Sequence, residues 1–551
     1  MKFFTPVLFL SLASTVQAQW TRDVSVNTTV RAVTSGEAAV PLTTEGPDGS
    51  TYVCWFENGS GEYQLRMQRL DAGGNRLWDI AGLVVSDHPQ NSAIFRYDLQ
   101  SDGDGKAIEA FQEERTGVLD IVAYKIAPDG TFIWGPDGVE LPTTGSTGLS
   151  PRVAALENGN TVVTWSTDHD PGRVAYQLIT PNGSLLLPEA ATLSASTRLS
   201  RPVPIATDDG GFILQYALEG SSFLAPATMK AQRFNAAGTA VWADPVTVSS
   251  KTISGFFFPQ PVSDEEDGLY VAFNTGNPDN ASYTDVYVQR VRANGTLWSA
   301  EGTRLDNSAT TQKFTAGKGL VLMENDGQDG LMVPMQVTDG SQGQSGVAVQ
   351  RVDTAGVRQL GNGAVTVIPV SAQYVQPWDI AATHDGAVIA HQSGAFGQVH
   401  LAATRVDLSG ATVWVPAQMD LCTANSNKDD LQLTEEEDGQ VVAVWKDDRS
   451  PEGIYAQHIT GLELGTAIFG HDQGMDFHLE ENPASSPVLL LPPDLKSGAV
   501  VQVLDAQGRL VYSAPLPPAY RVRLPLEHLP EGLFTIRIGM DGKAAAVRWL
   551  K

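Results

Sequence analysis

The sequence predicts an all-β protein: an eight-bladed β-propeller with four-stranded antiparallel blades, followed by a small C-terminal β-sandwich. Two phrases that recur in phase along the chain support this prediction. The first is a strand that runs into a turn glycine, with a Trp or Leu shortly after it, and its glycines are Gly74, Gly130, Gly183, Gly238, Gly295, Gly356 and Gly410. The second is Asp-Gly or Asn-Gly before an alternating apolar strand that presents one large side chain, namely Trp55, Phe111, Trp165, Tyr216, Phe273, Met335, His391 or Trp445.

Each repeat of about 56 residues holds the elements of one blade. Asp-Gly and Asn-Gly between alternating segments predict β-hairpins, and four strands of about five residues with their turns fill such a repeat. A single four-stranded sheet cannot bury both of its faces, and a radial arrangement lets neighbouring sheets cover them. The alternatives are a seven-bladed ring and tandem β-sandwiches, although sandwich domains are longer than these repeats.

The two ends of the repeat region predict how the ring closes. The eighth repeat has no recognisable fourth strand near Gly461, and the segment 24–29 precedes the first hairpin, where a fourth strand would stand. We therefore expect the N-terminal strand to complete the last blade.

The chain divides into a signal peptide (1–18), the propeller (19–470), a linker (471–484) and the C-terminal sandwich (485–551). Lys2, a short apolar run and small residues up to Ala18 are typical of a cleaved secretory signal, and the run is too short to span a membrane. The 36 Lys and Arg residues against 63 Asp and Glu give a net charge of −27, which argues against nucleic acid as a partner. We expect a monomer without a membrane-spanning segment.

The C-terminal region carries several short motifs in a fixed order. They are an Asn-Pro opening, an Asp-x-x-Gly-Arg turn, a Leu-x-x-Leu-x-x-Gly step and a terminal Lys, formed by Asn482, Pro483, Asp505, Gly508, Arg509, Gly532 and Lys551. This region resembles the type A C-terminal sorting domain of the type IX secretion system in Bacteroidota. The resemblance implies that the type IX machinery is a partner, and that the protein passes through the periplasm to be secreted or held at the outer cell surface.

The repeated phrase Asp-x-x-Gly-x-x-x-Trp resembles the tryptophan-docking motifs of eight-bladed quinoprotein dehydrogenases and their non-catalytic structural relatives. Its Asp-to-Gly spacing is one residue shorter than in that family. The resemblance implies that these Trp residues fasten blades together, which favours packing over sugar stacking. His391 occupies one of the repeated large-residue positions, so we interpret it as a core residue. Those dehydrogenases have adjacent cysteines in the site, and their absence here argues against a quinone cofactor.

The long loops of the repeats are the candidate ligand face, because loops on a rigid scaffold commonly hold binding residues. We call this end of the propeller the loop face; it is formed by 57–62, 112–117, 166–172, 219–228, 274–282, 337–346, 392–398 and 446–453. The candidate ligand residues on it are Glu113, Glu114, Arg115, Asp168, His169, Asp170, Asp447, Asp448 and Arg449.

We expect no cofactor and no catalytic or metal site, although one segment resembles part of a calcium loop. Asp102 and Asp104 lie in a Ser-Asp-Gly-Asp-Gly stretch that coincides with a repeat hairpin and lacks the distal Glu of the full motif. The two cysteines, Cys54 and Cys422, match no metal or redox spacing. We expect Cys54 in blade 1 and Cys422 in the connection into blade 8, and closure of the ring makes these blades neighbours. A disulfide between the two cysteines could then lock the ring.

These observations favour an exported binding module whose ligand is an extracellular protein or a glycan. The alternative is a propeller hydrolase that acts on polysaccharide through carboxylates of the loop face. A hydrolase requires two acidic groups that converge at the separation of a glycosidase pair and have a raised pKa.

Overall fold

The structure is a computed structural model that describes residues 20–21, 23–59, 61–90, 97–115, 119–141, 146–221, 225–253, 259–317, 320–323, 330–383, 385–395, 397–435, 441–459, 478–479, 486–491, 500–504, 510–517, 521–526, 529, 533–540 and 543–551. The described residues form strands and one short 3-10 helix, η1 (Pro47–Gly49). None of their helices has the length and apolar character that a membrane crossing requires. The chain separates into two compact units, and the division falls after Ile459.

The first unit is an eight-bladed propeller of antiparallel sheets. The first strand, β1 (Thr28–Val33), belongs to the last blade. Blades 1 to 4 are β2 (Glu37–Glu45), β3 (Thr51–Asn58), β4 (Tyr63–Leu70), β5 (Leu83–Gln90); β6 (Asp98–Ser101), β7 (Ala107–Glu113), β8 (Asp120–Ile126), β9 (Val139–Leu141); β10 (Gly148–Ala155), β11 (Thr161–Thr167), β12 (Val174–Ile179), β13 (Ala191–Leu193); and β14 (Leu199–Ala206), β15 (Phe212–Leu218), β16 (Thr228–Phe234), β17 (Val246–Thr247).

The remaining blades follow the same order, except that blade 6 has a fifth strand. Blades 5 to 8 are β18 (Pro261–Ser263), β19 (Leu269–Asn277), β20 (Asn280–Val291), β21 (Thr303–Arg304); β22 (Gln312–Thr315), β23 (Val321–Met323), β24 (Gly330–Thr338), β25 (Ser345–Asp353), β26 (Val365–Ser371); β27 (Val375–Thr383), β28 (Gly386–Ser393), β29 (His400–Asp407), β30 (Met419–Cys422); and β31 (Lys428–Glu435), β32 (Val441–Asp447), β33 (Glu452–Ile459). In blade 6, both β22 and β23 pair with β24.

The N-terminal strand closes the ring, as the sequence predicted. β1 pairs antiparallel with β33, so that Thr28 lies opposite Ala456 and Val33 lies opposite Glu452. The strand order of blade 8 is therefore β31, β32, β33 and β1. Eight sheets, and not seven, make up the propeller.

The hydrophobic core lies between consecutive blades. Tyr52 of blade 1 and Phe111 of blade 2 belong to one buried cluster, and Trp55 of blade 1 and Val444 of blade 8 belong to another. Similar clusters join blades 2 to 3, 3 to 4, 4 to 5, 5 to 6 and 6 to 7. Each sheet thus buries its faces against its neighbours, which is how a radial repeat is stabilised.

Trp residues fasten these junctions, which confirms the packing interpretation. Each indole Nε1 donates to the carbonyl oxygen that lies two residues before the turn glycine of the next blade. The pairs are Trp20 to Ala72 (3.0 Å), Trp134 to Pro181 (3.2 Å), Trp242 to Ala293 (3.1 Å) and Trp298 to Thr354 (3.0 Å). Trp20 serves the junction between blades 8 and 1, so the amino-terminal segment supplies both a strand and a docking indole.

The turn glycines are required for two physical reasons. Gly74 and Gly356 have φ angles of 81° and 87°, which favour glycine. A Cβ atom at Gly74 would also approach the Trp20 ring to 2.7 Å, and one at Gly356 would approach the Trp298 ring to 2.8 Å. The same glycine therefore forms the hairpin and admits the indole of the neighbouring blade.

The large side chains in the repeated strand positions are buried. Trp55, Trp165 and Trp445 are at most 1% exposed, and His391 is 2% exposed. His391 Nε2 lies 3.2 Å from Thr404 Oγ1, and burial lowers the pKa of the imidazole to about 4. His391 is a neutral core residue, as expected from its place in the repeat.

The first, innermost strands of four blades contain a β-bulge with a residue in the left-handed region. The bulges interrupt the pairing of β2, β10, β14 and β31 with their neighbours. The residues with positive φ are Val40 (52°), Ser150 (52°), Arg201 (57°) and Asp430 (55°). Bulges redirect side chains and increase the local twist. The scaffold therefore repeats an irregular position whose side chain differs from blade to blade.

Both cysteines are buried free thiols, so the disulfide hypothesis is wrong. Cys422 is the last residue of β30 in blade 7, and not part of the connection into blade 8. Its sulfur lies 2.8 Å from Arg449 Nη2, on a residue of blade 8. Cys54 belongs to the core between blades 1 and 2. Blade 8 separates the two positions around the ring, and each thiol packs at its own junction.

The second unit is a small β-sandwich. Its two sheets are formed by β34 (His478–Leu479), β35 (Val488–Leu490) and β38 (Arg521–Arg523), and by β36 (Val500–Leu504), β37 (Leu510–Pro515), β39 (Leu533–Met540) and β40 (Lys543–Leu550). Leu489 of one sheet and Ile536 of the other belong to one buried cluster, which includes Trp549. Lys551 Nζ donates to the carbonyl oxygens of Leu526 (3.2 Å) and Leu529.

The other sorting-motif residues, Asn482, Pro483, Asp505, Gly508, Arg509 and Gly532, lie outside the described residues, as does the signal peptide (1–18).

Candidate functional site

A cavity of about 500 Å³ opens on the loop face between blades 3 and 4. Its wall comes from the start of β10, the end of β11 and the connection into blade 5. The open end of the β14–β15 hairpin, where β14 begins and β15 ends, completes the wall. The polar residues that line it are Ser150, Arg152, Ser166, Arg198, Ser200, Arg201, Glu219, Ser221 and Gln260. Small-molecule sites in proteins have volumes of about 300–1,000 Å³, so the cavity is large enough for a ligand.

The innermost strands place two of the three arginines. Arg152 lies in β10 directly after its bulge, and Arg201 occupies the bulge of β14 at a φ of 57°. Arg198 precedes β14 in the connection between blades, and Glu219 follows β15. Because β14 and β15 form a hairpin, Arg198 and Glu219 meet at the same end of blade 4.

Glu219 is the carboxylate at the centre of this arrangement. It accepts a hydrogen bond from Ser200 Oγ at 2.5 Å. The closest nitrogen atoms of Arg198 and Arg201 lie 3.6 Å and 3.8 Å from its oxygens, which is an ion-pair separation and longer than a hydrogen bond. Two guanidinium groups therefore share one carboxylate without direct hydrogen bonds to it.

Arg152 is held at the opposite wall. Its Nη1 donates to Asp98 Oδ1 at 3.2 Å, and its Nη2 donates to Gln260 Oε1 at 3.1 Å. Asp98 Oδ2 also accepts the backbone N–H of Val153 at 2.9 Å. Burial raises the pKa of Asp98, and the charge of Arg152 opposes that rise. Arg152 is thus positioned by a partner in blade 2, and it lines the cavity from blade 3.

The candidate residues of blade 2 form an internal ion pair. Glu113 is fully buried and pairs with Arg115, and Ser86 Oγ donates to Glu113 Oε2 at 2.8 Å. Arg115 Nη2 also donates to the Tyr124 hydroxyl at 3.0 Å. Glu114 is half-buried beside them. These contacts indicate a structural role for the pair.

The candidate residues of blade 8 form a second buried network. Asp447 accepts hydrogen bonds from Arg449 Nη2 (2.5 Å), Ser426 Oγ (2.6 Å) and Trp445 Nε1 (3.0 Å). Burial acts to raise the pKa of Asp447, but these hydrogen bonds outweigh it and lower the pKa. The Arg449 guanidinium also stacks 4.1 Å from the centre of the Tyr455 ring. This network holds the loop that follows β32.

The remaining candidates are exposed and do not join these networks. Asp168 Oδ1 accepts the backbone N–H of Thr147 at 2.8 Å, and both His169 and Asp170 are exposed beside it. Asp448 is exposed and lies 3.8 Å from Lys446. The candidate residues therefore lie in blades 2, 3 and 8 with separate partners, and none of them lines the cavity.

The segment that resembles a calcium loop does not suit a divalent cation. Asp102 pairs with Lys125 at 2.6 Å, and Asp104 pairs with Lys106 at 2.6 Å. Asp102 Oδ1 also accepts two backbone N–H groups of its own hairpin. Among the described residues there is no group of three or more His, Cys, Asp or Glu side chains that could hold a metal ion.

Arg152, Arg198 and Arg201 were not predicted as site residues, because their strands were assigned to the scaffold. One signal was available: the segment 190–207 contains Arg198 and Arg201 and no Asp or Glu. In a chain with a net charge of −27, such a segment is a local exception.

No family model and no curated protein matches this chain. Among solved structures, it is similar to a polysaccharide lyase of family PL25, an ulvan lyase bound to -[GlcA(1-4)Rha3S]-, with 12% identity, 78% of this chain and 95% of the other covered, and a TM-score of 0.42. It is also similar to the Penicillium chrysogenum α-L-arabinanase complexed with arabinobiose, with 15% identity, coverages of 59% and 97%, and a TM-score of 0.35. A third is the sucrose-6-phosphate hydrolase of Lactobacillus gasseri, with 10% identity, coverages of 81% and 96%, and a TM-score of 0.32. Likenesses at this level concern the fold alone.

Proposed function

We propose that this protein is an exported binding propeller that holds a saccharide in the cavity between blades 3 and 4. The observation that supports it is the cavity itself, about 500 Å³ in volume and lined by hydroxyl, amide and guanidinium groups. A protein partner is expected to bury about 800 Å² of surface on each side, whereas a recess of this size accommodates a small polar group.

The composition of the cavity favours binding over hydrolysis. Glycoside hydrolysis by the usual route requires two carboxyl groups that flank the scissile bond. Glu219 is the single carboxylate among the described residues that line the cavity. It is already engaged by Ser200 and lies close to two arginines.

A glycan array with the full-length protein, followed by a turnover assay on every glycan that binds, tests this proposal. We expect binding without release of reducing ends. Ser221→Trp should block the exposed rim of the cavity and abolish binding. Ser282→Trp, at an exposed serine near the start of β20 in the corresponding hairpin of blade 5, is the matched control and should bind normally. Binding that survives Ser221→Trp would contradict the placement of the site.

The second candidate function is hydrolysis of a polysaccharide by carboxylates of blade 8. Burial raises the pKa of Asp430, and the neighbouring Asp429 raises it further. Burial and then Asp448 raise the pKa of Asp429. Raised carboxyl pKa values are typical of general acids. Turnover of a glycan that is lost in Asp430→Asn and retained in Glu219→Gln would favour this function over the first.

We also propose that the C-terminal unit is the signal for type IX secretion, on the basis of the sorting-domain motifs in the sequence. Deletion of 480–551 should leave the protein in the periplasm, as measured by cell fractionation. A full-length Lys230→Gln variant, altered on a half-buried propeller side chain, is the control and should be exported. Unchanged export of the deletion variant would refute this part of the proposal.

A further inference from the structure

We infer that the cavity between blades 3 and 4 binds a neutral saccharide through one hydroxyl group, which donates a hydrogen bond to Glu219 Oε2 and accepts one from Arg198. This inference rests on the proposed function, because it names the ligand class and two specificity-determining residues of the same cavity. A hydroxyl group suits this position, because it is a donor and an acceptor at once.

The first argument is the unfilled acceptor of Glu219. A carboxylate has two oxygens with about four lone-pair sites. Among the described residues, Ser200 is the one that donates a hydrogen bond to this carboxylate, and its Oγ reaches Oε1. The cationic nitrogen nearest to Oε2 is Nε of Arg198 at 3.6 Å, which is too long for a hydrogen bond. Glu219 lines the cavity, so a donor of the ligand can reach Oε2.

Other carboxylates at the ends of second strands have both oxygens filled. Glu57 accepts hydrogen bonds from Arg31 at Oε1 and at Oε2. Asp447 accepts one from Ser426 at Oδ1 and two more at Oδ2. Largely buried polar groups in proteins are nearly always hydrogen-bonded. The open oxygen of Glu219, whose side chain is 9% exposed, is therefore an exception that a bound molecule would remove.

The second argument is the position of Arg198. No hydrogen bond joins its guanidinium to another described residue, and its side chain is 46% exposed. A Cβ atom at Gly172 would lie 2.8 Å from Arg198 Cγ, so this glycine leaves room for the arginine side chain. The backbone N–H of Glu219 donates to the carbonyl oxygen of Arg198 at 2.8 Å. The donor and the acceptor are therefore placed side by side before a ligand binds, which reduces the cost of ordering them.

The third argument is the separation of the two groups. A hydroxyl donates to an oxygen at about 2.7–2.8 Å and accepts from a nitrogen at about 2.9 Å. Because Oε2 of Glu219 and Nε of Arg198 are 3.6 Å apart, one oxygen atom can lie at both of these distances. Polar groups separated by more than about 3.5 Å are commonly bridged by water in this way. A saccharide hydroxyl supplies the same two hydrogen bonds.

The fourth argument excludes charged groups at this position. A uronate or a sulfate ester has acceptors only and would place a negative charge against Glu219. An ammonium group has donors only and would face the guanidinium of Arg198, which lies 3.6 Å from the same oxygen. The net charge of −27 also disfavours the approach of acidic polysaccharides. A hydroxyl group meets neither repulsion.

The rest of the cavity suits a sugar ring. Apolar lining comes from Leu149, Pro202, Val203 and Pro259. Ligand sites commonly combine apolar walls with a few polar groups that fix the orientation of the ligand. A neutral sugar ring has C–H groups on its faces and hydroxyl groups around its edge. The apolar wall therefore matches the faces, and the pair of Glu219 and Arg198 matches one hydroxyl at the edge.

Isothermal titration calorimetry of the full-length protein compares neutral and charged probes. The neutral probes are the tetrasaccharides of glucan, mannan, galactan and arabinan, and the charged probes are a galacturonate tetramer and a chitosan tetramer. We expect at least one neutral probe to bind at least about tenfold more tightly than either charged probe, because like charges in contact are strongly unfavourable.

Deoxy analogues of the tightest neutral probe, each without one hydroxyl, locate the group that is bound. We expect one analogue to bind the parent protein about tenfold more weakly than the complete saccharide. The variant Glu219→Leu removes both acceptor oxygens, so it should bind this analogue and the complete saccharide with equal affinity. This cancellation shows a direct contact, because a merely structural role of Glu219 would weaken both ligands equally and keep the tenfold difference.

Arg198→Gln tests the other half of the bridge on a half-exposed side chain. It should weaken binding of the complete neutral saccharide by about tenfold. Arg173→Gln is its matched control, because Arg173 lies on the same loop face outside the cavity lining. Glu157→Leu, at an exposed residue of the β10–β11 hairpin, is the control for Glu219→Leu. Both controls should bind like the parent protein.

Equal or tighter binding of a charged probe would overturn the inference and leave the proposed function intact. The inference also fails if no deoxy analogue loses affinity, if the tenfold difference persists in Glu219→Leu, or if Arg198→Gln binds like the parent protein. The absence of binding to any saccharide, in the array and in calorimetry, would overturn both the inference and the proposed function.

Discussion

The carboxylates at the ends of the second strands are neutralised differently in blades 1 and 8 than in blade 4. Glu57 in blade 1 receives two hydrogen bonds from Arg31, at 2.6 Å and 2.7 Å, and one from Trp55. In blade 8, Asp447 and Arg449 form the same kind of closed network with Trp445. Glu219 in blade 4 has two arginines beside a cavity and no direct hydrogen bond from either, as described above.

The difference separates carboxylates that are closed into hydrogen-bonded networks from a carboxylate whose guanidinium neighbours lie at ion-pair distance. The networks of blades 1 and 8 flank the junction where β1 closes the ring, and their donors are directed at internal acceptors. The cluster of blade 4 belongs to consecutive blades inside the ring, where closure needs no reinforcement. The acidic and basic residues of the loop face thus form two kinds of cluster. The distance between the guanidinium nitrogen and the carboxylate oxygen distinguishes the hydrogen-bonded kind from the more open kind.

The largest expected effect comes from breaking the blade 8 network. Arg449→Met leaves Asp447 buried beside Cys422 without its cation, and should lower the free energy of unfolding by about 4 kcal/mol. Chemical denaturation measures this loss. Adding Asp447→Asn to the same variant should recover part of it, because the uncompensated charge is then removed. A loss below about 1 kcal/mol in the single variant would show that this ion pair stabilises the fold as little as the pair of Arg198 and Glu219 in blade 4.

Trp20→Ala weakens the same junction through packing. The indole is 8% exposed, stacks on His458 at 5.7 Å and donates to Ala72, so its loss should lower the free energy of unfolding by about 3 kcal/mol. Hydrogen exchange of the β1 amides should accelerate in particular. Trp298→Ala, at an internal junction and more exposed, is the control and should leave exchange in β1 unchanged.

A pH dependence should distinguish the two glutamates of β7. Glu113 is paired with Arg115, whereas burial raises the pKa of Glu109 to about 8. The folded pKa lies above the unfolded value of 4.5, so the stabilisation is complete below pH 4.5 and is lost as the pH rises to about 8. Between pH 6 and pH 8, the free energy of unfolding should fall by about 2.5 kcal/mol.

Thermal unfolding at several pH values measures this slope. Glu109→Gln should remove it, and Glu113→Gln should not. A slope that persists in Glu109→Gln would show that another buried group is responsible.

The smallest effect on stability should come from the cavity. Arg198 is nearly half exposed, and its ion pair with Glu219 spans 3.6 Å, so Arg198→Gln should change the free energy of unfolding by less than about 0.5 kcal/mol. The same variant should weaken binding of a saccharide in the cavity by about tenfold. A large loss of stability would show that this arginine belongs to the structural class instead.

The blade repeat and the closure of the ring could be predicted from the sequence, because each blade has the same short sequence features at its turns. A turn glycine at positive φ and a Trp or Leu after it recur in the sequence once per blade, as in Gly74 and Trp78. The missing fourth strand of the last repeat indicated the position of β1. Cys422 was misplaced because β30 is a short strand of four residues without an alternating pattern.

The cavity could not be predicted in the same way. It depends on Arg152 and Arg201, which lie in different blades and line one cavity because consecutive innermost strands run side by side. It also depends on a left-handed bulge at Arg201, a residue type that seldom adopts that conformation. Glu113 was predicted as a ligand residue of the loop face, yet it is fully buried and pairs with Arg115.

The pairing of β1 with β33 also affects the order of folding. Thr28 lies opposite Ala456, so this contact joins segments that are separated by almost the entire propeller sequence. Contacts of such high sequence separation form late, because the entropy of closing the intervening chain must be overcome first. We expect the other blades to assemble from local hairpins and the ring to close in a final step. Until that step, the amino-terminal segment with Trp20 remains outside the blade that it completes.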